Sequence, residues 1–262
     1  MATATKAAAV PYATRVIVGT RVDAVTSENV AELAFSWADE RIGRYVCVCT
    51  VHMVMEGYDD PAFQDVVNGA DLVTADGVPL VWCLRLLGLR DATRVHGPWL
   101  LPFLCEQAAR RGVPVGFYGG EDDVMRDLLA ELRRRAPGLQ IAYSYCPPFR
   151  PLTAEEDAAV VADIRSSGAR ILFVGLGCPR QERWMAQHRS RLDIVMLGVG
   201  AAFDFVSGHK REAPMWMQQL GLGWLFRLLC EPRRLWRRYV QHNPRFVALF
   251  VRQLMQQRRL HG

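Results

Sequence analysis

The chain has 262 residues, of which 50% are hydrophobic and 23% charged, with a formal net charge of +5. This composition excludes a disordered or fibrous protein and fits one large globular domain, or one domain with an appendage. The seven cysteines form no C-x-x-C pair, so a disulfide framework is excluded in favour of free thiols in a reducing compartment. The chain contains no run of 18 apolar residues, so no membrane span is predicted, and the N-terminus is a poor signal peptide. We therefore expect a protein of the cytosol.

The first half of the chain predicts strands and helices of irregular spacing. Its order is a flexible start (1–14), a short strand (15–18), a helix capped by Thr26 or Ser27 (to Trp37), a buried strand (45–51), a helix begun by Asp60-Pro61, an extended segment (71–74), an apolar helix (80–87) and a helix (98–111).

The second half alternates strands and helices more regularly. Its order is a strand (113–118), a helix (122–135), a strand (140–144), a helix opened by a capping box at Thr153 (to Ser166), a strand (170–174), a helix (to His188) and a strand (194–197). This alternation predicts an α/β fold, a Rossmann-like and mostly parallel sheet with helices on both faces.

The segment 171–184 combines a strand, a glycine turn and a helix start. Its apolar run ILFV indicates a strand buried on both faces, and Gly175 and Gly177 follow in the turn. Pro179 fits the first turn of a helix, which places Gln181 and Glu182 at the carboxyl end of the strand. The N–H groups of such a helix start suit an anion such as phosphate, although the glycines also fit an ordinary turn. A dinucleotide site is disfavoured because the third glycine of its fingerprint is absent.

From Pro214 onward the chain becomes basic and aromatic. We predict two or three short helices, with new segments starting at Pro232 and after Pro244, and domain limits of 1–14, 15–213 and 214–262. From residue 227 to the end there are nine arginines and one acid, Glu231. These helices fit an anionic membrane surface, or a hairpin packed on the core with a solvated arginine face. The apolar sides of these helices also allow packing against a second copy of the chain. Binding to nucleic acid is disfavoured because no recognition motif accompanies the charge.

Polar side chains at three predicted strand ends are candidates for chemistry. Asp76 follows a buried strand and fits a general base, or a cap for the next helix. Gly119 and Gly120 follow another strand, and Arg94 precedes the helix at Pro98, where it would meet phosphate or acceptor. Acidic runs at 59–60 and 121–123 precede helices, so we predict no metal site and no cofactor. If a diphosphate leaves from this site, its charge must be met by arginines and backbone amides rather than Mg²⁺.

The sequence resembles the WecG/TagA/CpsF family of bacterial glycosyltransferases from about residue 15 to 255. The resemblance is carried, in order, by the segments 71–81 (DLVTADGVPLV), 117–120 (FYGG), 173–184 (FVGLGCPRQERW), 198–208 (GVGAAFDFVSG) and 224–239 (WLFRLLCEPRRLWRRY).

The resemblance implies a metal-independent, inverting transfer of a sugar from a UDP-sugar to a polyprenyl-diphosphate-linked acceptor. Such enzymes work at the cytoplasmic face of the membrane and build surface polysaccharides or cell-wall polymers. The resemblance makes Asp76 the base and places Arg94 and Gln181 in the pocket. It also implies that the C-terminal appendage closes over the site and brings three arginines to the diphosphate: Arg227, Arg234 and Arg237.

One motif departs from the family pattern. A T-x-N motif usually ends the second main strand, and Val48-Cys49-Thr50 stands there instead, followed by His52. Thr50 and His52 remain expected substrate contacts, with a hydroxyl at Thr50 in place of an amide. The departure bears on donor and acceptor identity. It also leaves open a non-catalytic subunit that binds a nucleotide-sugar or phospholipid.

Overall fold

The computed structural model describes residues 12–261, so most of the predicted flexible start, 1–14, lies outside it. The strands are β1 (Thr14–Ile17), β2 (Thr20–Asp23), β3 (Arg44–Cys49), β4 (Leu72–Ala75), β5 (Val115–Gly119), β6 (Ile141–Tyr145), β7 (Ile171–Gly175) and β8 (Val195–Gly198). The helices are α1 (Ser27–Glu40), α2 (Val51–Asp59), α3 (Pro61–Asn68), α4 (Val78–Leu86), α5 (Gly97–Arg111), α6 (Asp122–Arg135), α7 (Ala154–Ser167), α8 (Arg180–His188), α9 (Ala202–Val206), α10 (Met215–Gln219), α11 (Gly223–Cys230) and α12 (Pro232–His261).

Six parallel strands form the central sheet in the order β4-β3-β8-β7-β5-β6, which confirms the predicted fold class. Strand β3 shows why the sequence folds in this way. Val46 and Val48 point into a core beneath α1, α5 and α6, and Cys47 and Cys49 point into a second core beneath α2, α3 and α8. Because alternate side chains are buried on opposite faces, the strand is apolar from Tyr45 to Cys49.

The parallel strands bring all their carboxyl ends to one edge of the sheet. The chain runs from β3 to its neighbour β4, and the next strand, β5, then lies on the far side of β3. Such a reversal of direction opens a crevice at the carboxyl edge, where ligands of doubly wound sheets bind. The edge carries Thr50 after β3, Asp76 after β4, Gly120 after β5 and Gly177 after β7.

Several boundaries differ from the predictions. Strand β1 lies where the short strand 15–18 was predicted, but its antiparallel partner β2 and the short helix α9 were not predicted. Helix α2 begins at Val51, where an extended strand was expected. Pro179 is the N-cap residue of α8 and not part of its first turn. Pro244 does not start a new helix, because α12 continues through it. The lost bond to the carbonyl of Val240 is tolerable there because Val240 is 64% exposed and water can replace the missing donor.

The C-terminal helices pack on the sheet domain. Leu235, Phe246 and Phe250 of α12 are buried, and both phenylalanines belong to the core that also contains Met53 of α2. Arg245 forms two hydrogen bonds of 2.9 and 2.6 Å with Asp59 at the end of α2. Among the described helices, none combines the length and apolar character needed to cross a bilayer.

Candidate active site

Asp76 lies at the carboxyl edge of the sheet, immediately after β4. Its N–H donates to the carbonyl of Cys49, which fixes the backbone beside β3. Arg94 donates to Oδ1 at 3.1 Å and also to the backbone carbonyl of Asp76. Within the described residues Oδ2 has no hydrogen-bond partner, and the side chain is 18% exposed. The helix α4 that follows has Gly77 as its N-cap residue, so Asp76 is not a helix cap.

Arg94 also connects the site to the C-terminal helices. The third guanidinium nitrogen, Nη1, donates to Oε1 of Gln218 at 3.1 Å, and Gln218 in turn donates to the carbonyl of Ala213 at 2.8 Å. Burial lowers the pKa of the neighbouring His96, on which the charges of Asp76, Arg94 and Arg227 also act. Helix α10 therefore contributes a side chain that contacts the arginine paired with Asp76, and Arg227 of α11 acts on the neighbouring His96.

Thr50 and His52 occupy the start of α2. The Thr50 hydroxyl accepts from the N–H of Met53 at 3.5 Å and so caps the helix. His52 is half-buried, and burial together with the charge of Arg238 lowers its pKa to about 3, so the ring is neutral at pH 7. Its Nδ1 lies 3.5 Å from Oε1 of Glu56, one helical turn later. Thr50 lies at the edge of the crevice, whereas His52 faces other side chains of the protein.

The two glycine turns, at 119–120 and 175–177, contain both closely packed and open positions. Gly119 (φ +115°) and Gly175 pair on adjacent strands, and the N–H of Gly120 donates to the carbonyl of Gly175 at 3.2 Å. A Cβ on Gly175 would lie 2.6 Å from the ring of Phe203. Gly177 (φ +78°) has open space beside it. Close packing therefore explains why glycine is needed at positions 119 and 175. At Gly177 the open space leaves room for a ligand.

Substituting these glycines should separate the two roles. A Cβ at Gly119 would lie 2.6 Å from the carbonyl carbon of Gly175. We expect Gly119→Ala to cost at least about 3 kcal/mol of folding stability, as clashes in a packed region do. Gly177→Ala should cost only the about 1–2 kcal/mol of a left-handed backbone. Urea unfolding of both variants measures the difference, and equal costs would contradict the packing explanation.

Gln181 and Glu182 are buried beneath the glycine turn. Gln181 accepts from the N–H of Gly177 at 3.2 Å and donates to Oε1 of Glu182 at 2.7 Å. Glu182 is 0% exposed, its Oε2 has no partner within the described residues, and burial raises its pKa to about 7. Such depth does not fit the expectation that Glu182 binds substrate. Its carboxyl group instead accepts a hydrogen bond that orients the Gln181 amide, and this amide in turn accepts from the N–H of Gly177 in the turn.

The buried carboxyl of Glu182 predicts a pH-dependent stability. Between its ordinary pKa of 4.5 and its folded value of about 7, the folded chain keeps a proton that the unfolded chain releases. Stability therefore falls as the pH rises through this window, by up to about 3 kcal/mol, and the loss is complete above it. Glu182→Gln removes this loss, so its advantage over the wild type should grow from pH 4.5 to 7 in urea unfolding. Parallel pH curves would contradict the assignment.

The arginines of the C-terminal helices are not equivalent. Arg227 lies 5.5 Å from the ring of Phe205, and its Nε is buried without a partner among the described residues. Arg234 is 53% exposed in its side chain and pairs with Glu231. Arg237 is exposed and lies over Trp236. The arginine with a buried, unpartnered Nε on α12 is Arg238, and burial lowers its pKa.

Two side chains around the site were missed by the sequence analysis. Gln218 carries no motif that marks it. Arg238, however, continues the buried stripe of α12 at Leu235, His242 and Phe246, because the spacings are three, four and four residues. Helical periodicity therefore distinguishes Arg238 from its neighbour Arg237.

The geometry defines a Rossmann-like α/β protein whose crevice carries Asp76. Helices α11 and α12 supply two partly buried arginines, Arg227 and Arg238, whose Nε atoms have no partner among the described residues. The model of the glycosyl transferase WecG/TagA/CpsF family matches residues 15–260. The chain belongs to this family. It is also 29% identical, over 233 residues and 88% of each chain, to a protein of Bacillus spizizenii named N-acetylglucosaminyldiphosphoundecaprenol N-acetyl-beta-D-mannosaminyltransferase.

Proposed function

We propose that this protein transfers a sugar, with inversion, from a UDP-sugar to a polyprenyl-diphosphate-linked sugar in the synthesis of a bacterial surface polysaccharide or cell-wall polymer. The observation that carries the proposal is the pairing of Asp76 with Arg94 at the carboxyl edge of the sheet, beneath helices that supply Arg227 and Arg238. The name of the Bacillus relative supports a lipid acceptor that ends in diphosphate-linked N-acetylglucosamine, and N-acetylmannosamine as a candidate donor sugar.

Asp76 acts as the base in this proposal. Arg94 holds Oδ1, and Oδ2 takes the proton from the acceptor hydroxyl as that oxygen attacks the anomeric carbon of the donor. The bond between the anomeric carbon and the diphosphate oxygen breaks, and UDP leaves with the electron pair. Attack from the face opposite the leaving group inverts the anomeric configuration.

The departing UDP needs positive charge at its diphosphate. The guanidinium groups of Arg227 and Arg238 are partly buried, and each has an Nε without a protein partner among the described residues. Cations in such a water-poor place stabilise developing negative charge strongly. They serve here in place of Mg²⁺, and the open turn at Gly177 gives the nucleotide room.

An exposed apolar surface supports peripheral association of the protein with the anionic cytoplasmic face of a membrane. It comprises Trp82 and Leu86 of α4 and Met215, Trp216 and Leu220 at α10, which are 47 to 68% exposed. The two elements adjoin, because a Cβ on Gly221 would lie 2.9 Å from the Trp82 ring. Indole rings and arginines together favour the interface between headgroups and acyl chains. A lipid-linked acceptor would enter from this side.

Thermal-shift measurements with UDP, a panel of UDP-sugars and NAD test the proposal, each with and without Mg²⁺. A ligand that binds the native state raises the melting temperature by mass action. We expect UDP and one UDP-sugar to stabilise the protein equally with and without Mg²⁺. Stabilisation by UDP without consumption of any donor would indicate a binding subunit, and stabilisation by NAD alone would contradict the proposal.

A further inference from the structure

Three potential metal ligands meet between α2 and α12. His52 and Glu56 lie one turn apart on α2, and His242 comes from the middle of α12. One ligand atom of each residue lies within 4.8 Å of those of the other two. The two histidine rings are 5.4 Å apart, centroid to centroid. Nothing in the proposed transfer reaction uses this cluster.

The distances in the cluster are close to those of a tetrahedral metal site. Oε1 of Glu56 lies 3.5 Å from Nδ1 of His52 and 3.7 Å from Nε2 of His242. Ligand atoms bound to one Zn²⁺ at its usual bond lengths are about 3.4 Å apart. Only small side-chain rotations would therefore let all three residues reach a common ion.

Two ring nitrogens of the cluster have no hydrogen-bond partner among the described residues. Nδ1 of His52 is buried and forms no hydrogen bond, although a carboxylate oxygen is near. His242 is 8% exposed, and its Nδ1 is also buried without a partner. Buried polar atoms are nearly always satisfied in native proteins, so the unpartnered Nδ1 of His52, the atom that faces Glu56, indicates a missing component. His242 faces Glu56 with Nε2 and would bind the ion through that nitrogen. Two imidazoles and one carboxylate are a ligand set that zinc accepts, with water in the fourth position.

We propose that His52, Glu56 and His242 bind one divalent transition-metal ion, for which Zn²⁺ is the best fit, and that the ion fastens α12 to α2. The ion is structural in this proposal and takes no part in sugar transfer. It would hold the C-terminal helices in place over the carboxyl edge of the sheet.

The surrounding charges restrict which metal can bind. Arg227 and Arg238 face His52, and Arg245 lies near His242 but is paired with Asp59. This positive field weakens the binding of any cation. Metals that form strong bonds to imidazole can overcome it, whereas Mg²⁺, which prefers oxygen ligands and its own water shell, cannot.

Zinc titration of the full-length, chelator-treated protein tests the proposal. We expect one Zn²⁺ per chain by isothermal titration calorimetry, a higher melting temperature with Zn²⁺ but not with Mg²⁺, and a visible absorption band of tetrahedral Co²⁺ after substitution. Glu56→Gln, which keeps the side-chain shape, and His242→Ala should each weaken zinc binding by more than about 100-fold. Removing an outer-shell partner already lowers metal affinity by about 10–100-fold, and removing a ligand should lower it more.

His209→Ala is the matched control. His209 also lies beside carboxylates, with Nε2 at 2.8 Å from Asp127. Asp127 belongs to α6, which packs on the face of the sheet opposite to α2. Its loss should leave zinc stoichiometry and the cobalt spectrum unchanged. The proposal fails if the wild-type chain binds no zinc, or if zinc binds equally well to the wild type, Glu56→Gln and His242→Ala.

Discussion

Replacing Asp76 by asparagine should lower the rate of sugar transfer by about 10²–10⁴-fold, the usual contribution of a general base. Asparagine has nearly the same shape, and its amide oxygen can accept the hydrogen bond that Arg94 now donates to Oδ1 at 3.1 Å. The amide cannot take up a proton from the acceptor hydroxyl. Initial rates with a UDP-sugar and a lipid-linked acceptor, together with the melting temperature, separate this chemical loss from unfolding.

The control for this experiment is Asp59→Asn. Asp59 is exposed at the end of α2, and its ion pair with Arg245 is of the surface kind that contributes about 0–1 kcal/mol. Its replacement should leave the transfer rate unchanged. If Asp76→Asn retains the wild-type rate while folding normally, Asp76 is not the base.

Replacing Arg238 by methionine should have opposite effects on activity and stability. A cation that stabilises the departing diphosphate contributes about 10²–10³-fold to turnover, by comparison with single oxyanion-hole donors. The same guanidinium is buried without a partner for its Nε among the described residues, and burial lowers its pKa. An apolar side chain of similar length removes this desolvation cost, so the melting temperature should rise. Kinetics and thermal unfolding of one variant measure both effects.

Neighbouring arginines provide the comparison. Arg233→Met changes an exposed residue five positions earlier on α12 and should alter neither property. Arg237→Met tests the position implied by the family resemblance, where the side chain lies at the surface over Trp236. A larger loss of activity in Arg237→Met than in Arg238→Met would contradict the proposed role of Arg238.

The sequence predicts those parts of the fold that local chemistry determines. Thr26 and Thr153 cap their helices, and Asp60-Pro61 begins α3, because capping side chains and proline act within one turn. The apolar strands around Val46 and Ile171 are buried on both faces, as their composition requires. The position of Asp76 at the carboxyl edge also follows, because parallel strands end on one side.

Other features depend on partners that are distant in the sequence. The apolar run from Tyr45 to Met55 contains both a strand and a helix, and only the bend at Thr50 separates them. Local patterns do not reveal that His242 meets His52, or that Gln218 reaches Arg94, since each contact depends on how the C-terminal helices pack. The burial of the Glu182 side chain likewise depends on core residues that are distant from it in the sequence.

The most direct test of the proposed function is a transfer assay with a labelled UDP-sugar and N-acetylglucosaminyl-diphosphate-polyprenol in anionic vesicles. We predict that the full-length protein releases UDP and forms a lipid-linked disaccharide whose new linkage is inverted relative to the donor, with no need for Mg²⁺. If UDP binds but no donor in a broad panel is consumed, the protein is a binding subunit and not a transferase. A product with retained configuration would contradict the single displacement in which Asp76 is the base.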